Sequence, residues 1–400
     1  MRIAILSSGS LSDMKGIMNF VQEEATRMIE LQANHSIKVD VYIISKTNSF
    51  LLRLFKTRKL SIKELFKKRE SPKTYRVENV TYNLYWINYG LWDNLITTKL
   101  KKKIISTRHL NKLSKVLSNY DIVISHTLTC HSVARYVKEE YNIPYVAIWH
   151  GSDINIDPFL SNWKEIATKN ALEAASCNFF VSRNLLEASG RITTNCYKDV
   201  IYTGPSSVFT RASDDNILEY KNKYMIRNEI IIGFVGNIID VKNVLSLPLI
   251  MSELIDRDSS RNYILWVAGN GNQESILREE LDKKRIPYRL FGKMNPNEVP
   301  LFISCLDVLV LPSKNEGLGL VLLEARKCGV NAVASDVGGQ KEVIGNENCY
   351  PLDNNFASNI ATRIIEIISS KEKPKPLDYE FSWEAAIDKL CNKCKEILCA

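Results

Sequence analysis

The chain has 400 residues, 45% of them hydrophobic and 24% charged, with a formal net charge of +8. That length exceeds what one core organises and predicts two domains of about 150–200 residues, while the apolar content excludes a disordered chain. No run approaches the roughly 20 apolar residues that cross a bilayer, and nine scattered cysteines, an odd number, point to reduced buried thiols rather than a disulfide framework.

The chain opens on Met1-Arg2-Ile3-Ala4-Ile5-Leu6 and turns polar at once with Ser7-Ser8-Gly9-Ser10. So short an apolar run predicts a first strand and no signal peptide, hence a cytoplasmic protein. Helical spacing follows over 19–32 and a second strand over 39–44. Residues 46–73 then break the rhythm: Arg53, Lys56, Arg58, Lys59, Lys63, Lys67, Lys68 and Arg69 interleave with Leu51, Leu54, Phe55, Leu60, Ile62, Leu65 and Phe66. This segment reads either as a solvated helical insertion or as a basic amphipathic surface for anionic lipid on the inner face of the membrane, and Lys99 to Lys103 adds charge. No nucleic-acid-binding motif accompanies it. Strands are predicted at 121–125, 145–149 and 178–181, with a helix over 133–141.

The alternation restarts near 200, after the turn-rich Thr203-Gly204-Pro205. Apolar runs at 230–235, 263–268, 288–291, 308–311 and 332–334 predict strands, and helices lie between most of them. The expected fold class is α/β, two Rossmann-like β/α/β domains facing across a cleft. Their expected limits are 1–203, carrying the basic insertion, and 204–375. A C-terminal helix, 376–400, is expected to cross back to the first domain. Cys391-Asn-Lys-Cys394 has neither a second pair nor a nearby histidine, so no zinc site is expected.

The chemistry concentrates at 312–340. An apolar strand leads into Pro312-Ser313-Lys314-Asn315-Glu316-Gly317-Leu318-Gly319, and a helix-forming segment from Leu320 to Lys327 ends at Gly329. Strand, glycine turn and helix aim free backbone N–H groups and a positive dipole end at an anion. Two carboxylates, Glu316 and Glu324, frame the site, which reads as a phosphate-plus-hydroxyl pocket. Gly9 and Gly16 do not form a dinucleotide fingerprint, because the G-x-G-x-x-G spacing is absent.

Phe234-Val235-Gly236, Lys242, Val267-Ala268-Gly269-Asn270-Gly271, Phe291-Gly292, Leu311-Pro312-Ser313, Glu316-Gly317-Leu318-Gly319, Glu324-Ala325 and Gly338-Gly339 with Glu342 occur in that order. This ordered set resembles glycosyltransferase family 4. The resemblance is dense from about 200 to 345 and thinner before it, at Gly16, at Trp149-His150-Gly151-Ser152-Asp153 and at Val181-Ser182. It implies the GT-B fold and a retaining transfer from a nucleoside-diphosphate sugar, UDP- or GDP-linked, to an acceptor hydroxyl, while the basic, apolar insertion points to a glycan or lipid-linked acceptor, as in surface-polysaccharide synthesis. The resemblance assigns Lys242 to the leaving diphosphate, Glu316 to the transferred sugar's hydroxyls, Glu324 to the nucleotide ribose and His150 to the donor sugar. Gly16, Gly236, Asn237, Lys293 and the amides of Leu318, Gly319 and Leu320 complete the expected donor contacts.

The chain departs from the pattern at Asn237, where family members commonly carry arginine. Asparagine can bond a phosphate but cannot neutralise it, so Lys293 and Arg326 are candidate substitute cations. Asn331 stands where proline is usual. His126 and His131, after another strand end, are candidate acceptor contacts. No D-x-D metal motif stands in a suitable loop, so no essential metal or other cofactor is expected. Two other readings stay open: a nucleotide-sugar epimerase on the same fold, and a non-catalytic sugar-nucleotide-binding relative.

Overall fold

Short apolar runs closed by glycine, proline or polar residues form strands in this chain, and the amphipathic stretches between them form helices that cover both sheet faces. The computed structural model describes residues 1–9, 17–31, 37–48, 74–77, 79–89, 105 and 107–400. Gly16, residues 49–73 of the basic segment and Lys99 to Lys103 lie outside the described residues.

Two compact units result. The first comprises 1–181, 185–201 and 383–400, and the second 182–184 and 202–382. In the first, β1 (Arg2–Ser8), β2 (Lys38–Asn48), β3 (Thr74–Val77), β4 (Val80–Tyr89), β5 (Ile122–His126), β6 (Tyr145–Trp149), β7 (Cys177–Phe180) and β8 (Lys198–Val200) form one sheet. Its order is β3-β4-β2-β1-β5-β6-β7-β8. Every pairing is parallel except β3 with β4, an antiparallel hairpin at one edge. Every residue of β5, β6 and β7 is buried, as expected of strands covered on both faces.

The second unit holds β9 (Ile230–Val235), β10 (Tyr263–Ala268), β11 (Tyr288–Gly292), β12 (Val308–Leu311), β13 (Asn331–Ser335) and β14 (Cys349–Tyr350). They run parallel in the order β11-β10-β9-β12-β13-β14. Strands are added first to one side of β9 and then to the other, so the order reverses between β9 and β12. In such sheets ligands bind outside the carboxyl ends of the strands at that reversal.

The C-terminal helix Trp383–Cys399 belongs to the first unit. It buries Trp383, Ala386, Ile387, Leu390, Cys391 and Cys394, a stripe at three- and four-residue spacing that faces the helix Ile17–Leu31. Trp383 meets Phe20 edge-on at 5.1 Å, and Lys389 bonds Asp199 at 2.8 Å and the Val200 carbonyl at 2.7 Å.

Several elements differ from expectation. β3, β4 and β14 were not anticipated. Lys46, Thr47 and Asn48, read as the start of the insertion, are the end of β2. The helix expected from 133 begins at Thr127, immediately after β5. Among the described residues no helix is long and apolar enough to cross a membrane, and no group of three or more His, Cys, Asp or Glu is placed to hold a metal ion.

Candidate active site

The reversal in the second unit brings the loop after β9 beside the loop after β12. Glycines set how closely the neighbouring loops approach. A Cβ on Gly269 (φ +139°) would stand 1.8 Å from the Gly236 carbonyl oxygen, and one on Gly271 would stand 2.0 Å from that of Ile238. The loop after β9 therefore rests directly on the backbone after β10. Gly236 N–H donates to Ala268 O at 3.0 Å, and Ile238 N–H to Asn270 O at 2.9 Å. This support presents the short turn Asp240–Lys242, closed by Asn243 in a left-handed conformation.

Lys242 Nζ lies 2.5 Å from Glu316 Oε1. The same oxygen accepts from Ser313 Oγ at 2.8 Å, and Ser313 O accepts from Ser335 Oγ at 2.6 Å. A second tie joins the two loops: Lys314 N–H donates to Val241 O at 2.8 Å and its Nζ bonds Asp240 at 2.7 Å. Glu316 is clamped from behind as well. A Cβ on Gly338 (φ +57°) would stand 2.1 Å from the Glu316 carbonyl oxygen, and Gly339 N–H donates to Gly317 O at 2.9 Å. Lys242 and Glu316 keep 23% and 13% of their side-chain exposure, so the pair is shielded yet reachable.

Gly319 (φ +86°) turns the chain into the helix Leu320–Lys327. No described residue accepts from the amides of Leu318, Gly319 or Leu320. An unpaired N–H at a helix start is a standing donor for an anion. Glu324, on that helix, is half-buried, and burial pushes its carboxyl up to about 7.

Among the remaining expected contacts, Asn237 and Lys293 are both exposed, at the ends of β9 and β11. Arg326 is not a substitute cation. Its guanidinium is taken up by the backbone carbonyls of Val343, Lys375 and Pro376, so it fastens the chain after the helix Phe356–Ser370. Asn331 does similar work, donating from Nδ2 to Glu372 O at 2.6 Å.

In the first unit, His150 follows β6 and is partly exposed. Asp153 accepts from the His150 and Gly151 amides at 3.1 and 2.8 Å, fixing the turn. Burial raises the Asp153 carboxyl to about 6 against those same bonds. His126 and His131 are not open to an acceptor, since both are fully buried. With the helix starting at Thr127, His131 turns inward, bonds Ser125 Oγ at 2.8 Å and packs on Trp149 at 4.1 Å. His126 Nδ1 instead bonds His150 Nε2 at 2.9 Å. Ser313 and Lys314, beside Glu316 in the second unit, and Glu24, beside His126 in the first, are neighbours that sequence reasoning missed. Only Ser313, three residues before Glu316, carried a local signal of the capping kind.

Residues 216–380 match the family described as Glycosyl transferases group 1. A Bacillus subtilis (strain 168) protein, named as the teichuronic acid biosynthesis glycosyltransferase TuaC, is 26% identical over 56% of this chain. The chain spans little more than half of that relative's own length, 55%. Sucrose-phosphate synthase from Thermosynechococcus elongatus superposes with a TM-score of 0.72 at 16% identity, covering 100% of this chain and 99% of that one. Anabaena HepE, solved in complex with UDP-glucose, gives 0.67 at 14% identity over 99% of this chain and 100% of its own. At these identities the structural likeness shows the fold alone. The sequence match and the fold agree: residues 216–380 carry the region described as Glycosyl transferases group 1, and the chain has the two-domain GT-B fold.

Proposed function

We propose that the chain is a retaining glycosyltransferase that moves a sugar from a nucleoside-diphosphate sugar to a hydroxyl acceptor. One observation carries the reading. At the point where the second sheet reverses, Lys242 and Glu316 meet at 2.5 Å beside the unpaired amides of Leu318 to Leu320. As the bond between sugar and diphosphate breaks, negative charge grows on the leaving phosphate oxygen. Lys242 and the amides are the donors that stabilise it. Glu316, an acceptor at both oxygens, takes the sugar's hydroxyls. The acceptor hydroxyl then attacks on the face the diphosphate leaves, its proton passing to the departing phosphate, so configuration is retained without a covalent enzyme intermediate. With these groups holding the phosphates, transfer is proposed to need no metal, and added chelator should leave the rate unchanged.

UDP-sugars head the donor panel because HepE was solved with UDP-glucose. Thermal shift across UDP-, GDP- and other sugar nucleotides should single out one donor, since a ligand at about 100 times its Kd adds about 2.7 kcal/mol of stability. Labelled sugar should then leave that nucleotide only when acceptor is present. Release into an epimerised nucleotide sugar would overturn transfer, and absence of any turnover would favour a binding relative, the reading that Asn237 supports. The acceptor is proposed to be a lipid-linked or surface-polysaccharide intermediate at the inner membrane face, on the basic and apolar character of 46–73. Lipid-linked glycans in anionic vesicles are therefore the first acceptors to assay.

Glu324 gives the site a pH dependence. In its proposed role it accepts from two ribose hydroxyls, which it does fully only as a carboxylate. With its carboxyl raised to about 7, it gains a proton as the pH falls through neutrality. Donor KM is expected to rise about tenfold between about pH 8 and about pH 6. In Glu324→Gln that slope should disappear; a slope that persists in the variant would remove Glu324 from the donor site.

A further inference from the structure

A carboxylate and two imidazoles stand in line in the first unit. Glu24, on the helix Ile17–Leu31, is 1% exposed and His126 is 0% exposed. Glu24 Oε2 lies 2.8 Å from His126 Nε2, close enough for a charge contact though not aligned as a hydrogen bond. His126 Nδ1 lies 2.9 Å from His150 Nε2. Phe20 closes the row from the side, its ring edge-on to His126 at 5.5 Å and to His150 at 4.7 Å. His150 Nδ1 bonds no described residue and is not among the buried polar atoms that lack a partner, so that nitrogen is not sealed in the core, and the residue is partly exposed.

Packing alone does not call for this arrangement. A buried carboxylate is costly unless it serves a partner, and an apolar side chain would fill the same space in the core. The chemistry of the row supplies a reason. An imidazole's two nitrogens are coupled, because the bond made at one decides whether the other carries a proton. With Glu24 as a carboxylate, lone pairs facing each other across 2.8 Å repel, so His126 Nε2 carries its proton there. With its one proton at Nε2, His126 offers a lone pair at Nδ1, and His150 donates to it from Nε2. Burial, reinforced by the neighbouring imidazoles of His126 and His131, pushes the His150 pKa well below the usual histidine range. A neutral His150 that donates at Nε2 has only a lone pair left at Nδ1.

We infer that Glu24 and His126 are positioning residues that hold His150 in its Nε2–H tautomer, so that Nδ1 accepts a hydrogen bond from a substrate hydroxyl. This rests on the reading of His150 as a substrate contact. It deepens that reading by naming the group recognised: an O–H donor, not a phosphate or carbonyl oxygen.

The tautomer is read without any assay of transfer. In protein carrying ¹⁵N-labelled histidine, two-bond ¹H–¹⁵N spectra at about pH 8 should show His150 with its proton on Nε2. Glu24→Gln keeps the shape of the side chain. Its amide N–H₂ can donate to His126 Nε2, which moves the His126 proton to Nδ1 and reverses His150 to Nδ1–H. With the identified donor and acceptor, Glu24→Gln should then lower kcat by about tenfold or more. Donor KM should be little changed, and adding Glu24→Gln to His150→Ala should cost nothing further. A wild-type His150 protonated on Nδ1, a tautomer that Glu24→Gln leaves in place, or losses that multiply in the double variant would each overturn the inference. Should Glu24→Gln fail to fold, the wild-type spectrum decides alone. Should the wild-type protein turn over no sugar nucleotide, the transferase reading falls while the spectra still decide whether the chain sets the tautomer.

Discussion

Glu316→Ala is expected to lower sugar transfer by about 10²- to 10³-fold, the scale on which preorganised transition-state contacts act. The fold should be retained. Glu316 lies in a loop whose position is set by backbone contacts with Gly338 and Gly339 and by the Lys314–Val241 bond, none of which uses its side chain. The ion pair with Lys242 is partly exposed at both ends, so its loss should change stability by about 1 kcal/mol or less. Lys242→Ala should be damaging on the same scale, through the leaving diphosphate. Because the two side chains touch, the double variant should lose far less than the product of the single losses. Initial rates for the two single variants and the double, with melting temperatures alongside, check this. Full activity in Glu316→Ala would remove the residue from the site.

Gly269→Ala should be the most destabilising single-methyl change in the second unit. The new Cβ would stand 1.8 Å from the Gly236 carbonyl oxygen, and φ at this position is +139°, a conformation that L side chains rarely adopt. Neither neighbour is a flexible side chain that can swing aside. Separating the two backbones would break the bond from Gly236 N–H to Ala268 O and loosen the turn that carries Lys242. A cost of about 2–4 kcal/mol follows from strain and lost backbone pairing together. Denaturant unfolding should register it as an earlier midpoint. Donor binding should also weaken in whatever fraction stays folded, since the change reaches Lys242 through the backbone. An unchanged midpoint would mean that the loops separate without cost.

Legibility in the sequence followed burial. β6, β9, β10 and β12 read cleanly because strands covered on both faces appear as unbroken apolar runs. β4, with the sequence Val-Thr-Tyr-Asn-Leu-Tyr-Trp-Ile-Asn-Tyr, alternates polar and aromatic residues near a sheet edge and follows the basic segment, so its strand period was hidden. β14 is two residues long and carries no period at all. The roles of Lys242 and Glu316 came from the resemblance. Their contact spans 74 residues and exists because β9 and β12 are neighbours in the sheet. Arg326 shows the opposite case, since a cation near the glycine-containing loop in sequence is spent on three backbone carbonyls in space. The alignment of Glu24 with His126 could not be read from spacing either, because it depends on how the helix Ile17–Leu31 lies against the end of β5.

The helix Trp383–Cys399 completes a unit whose other strands and helices all precede residue 202. During synthesis, at about 5–20 residues per second, the nascent first unit therefore waits while the whole second unit is made. Throughout that interval the helix Ile17–Leu31 lacks the partner that covers Phe20. The later unit is thus the first able to finish folding, and the earlier one leaves the ribosome with an apolar face open. That order of events makes the helix Trp383–Cys399 a determinant of soluble yield, quite apart from any part it plays in the folded protein.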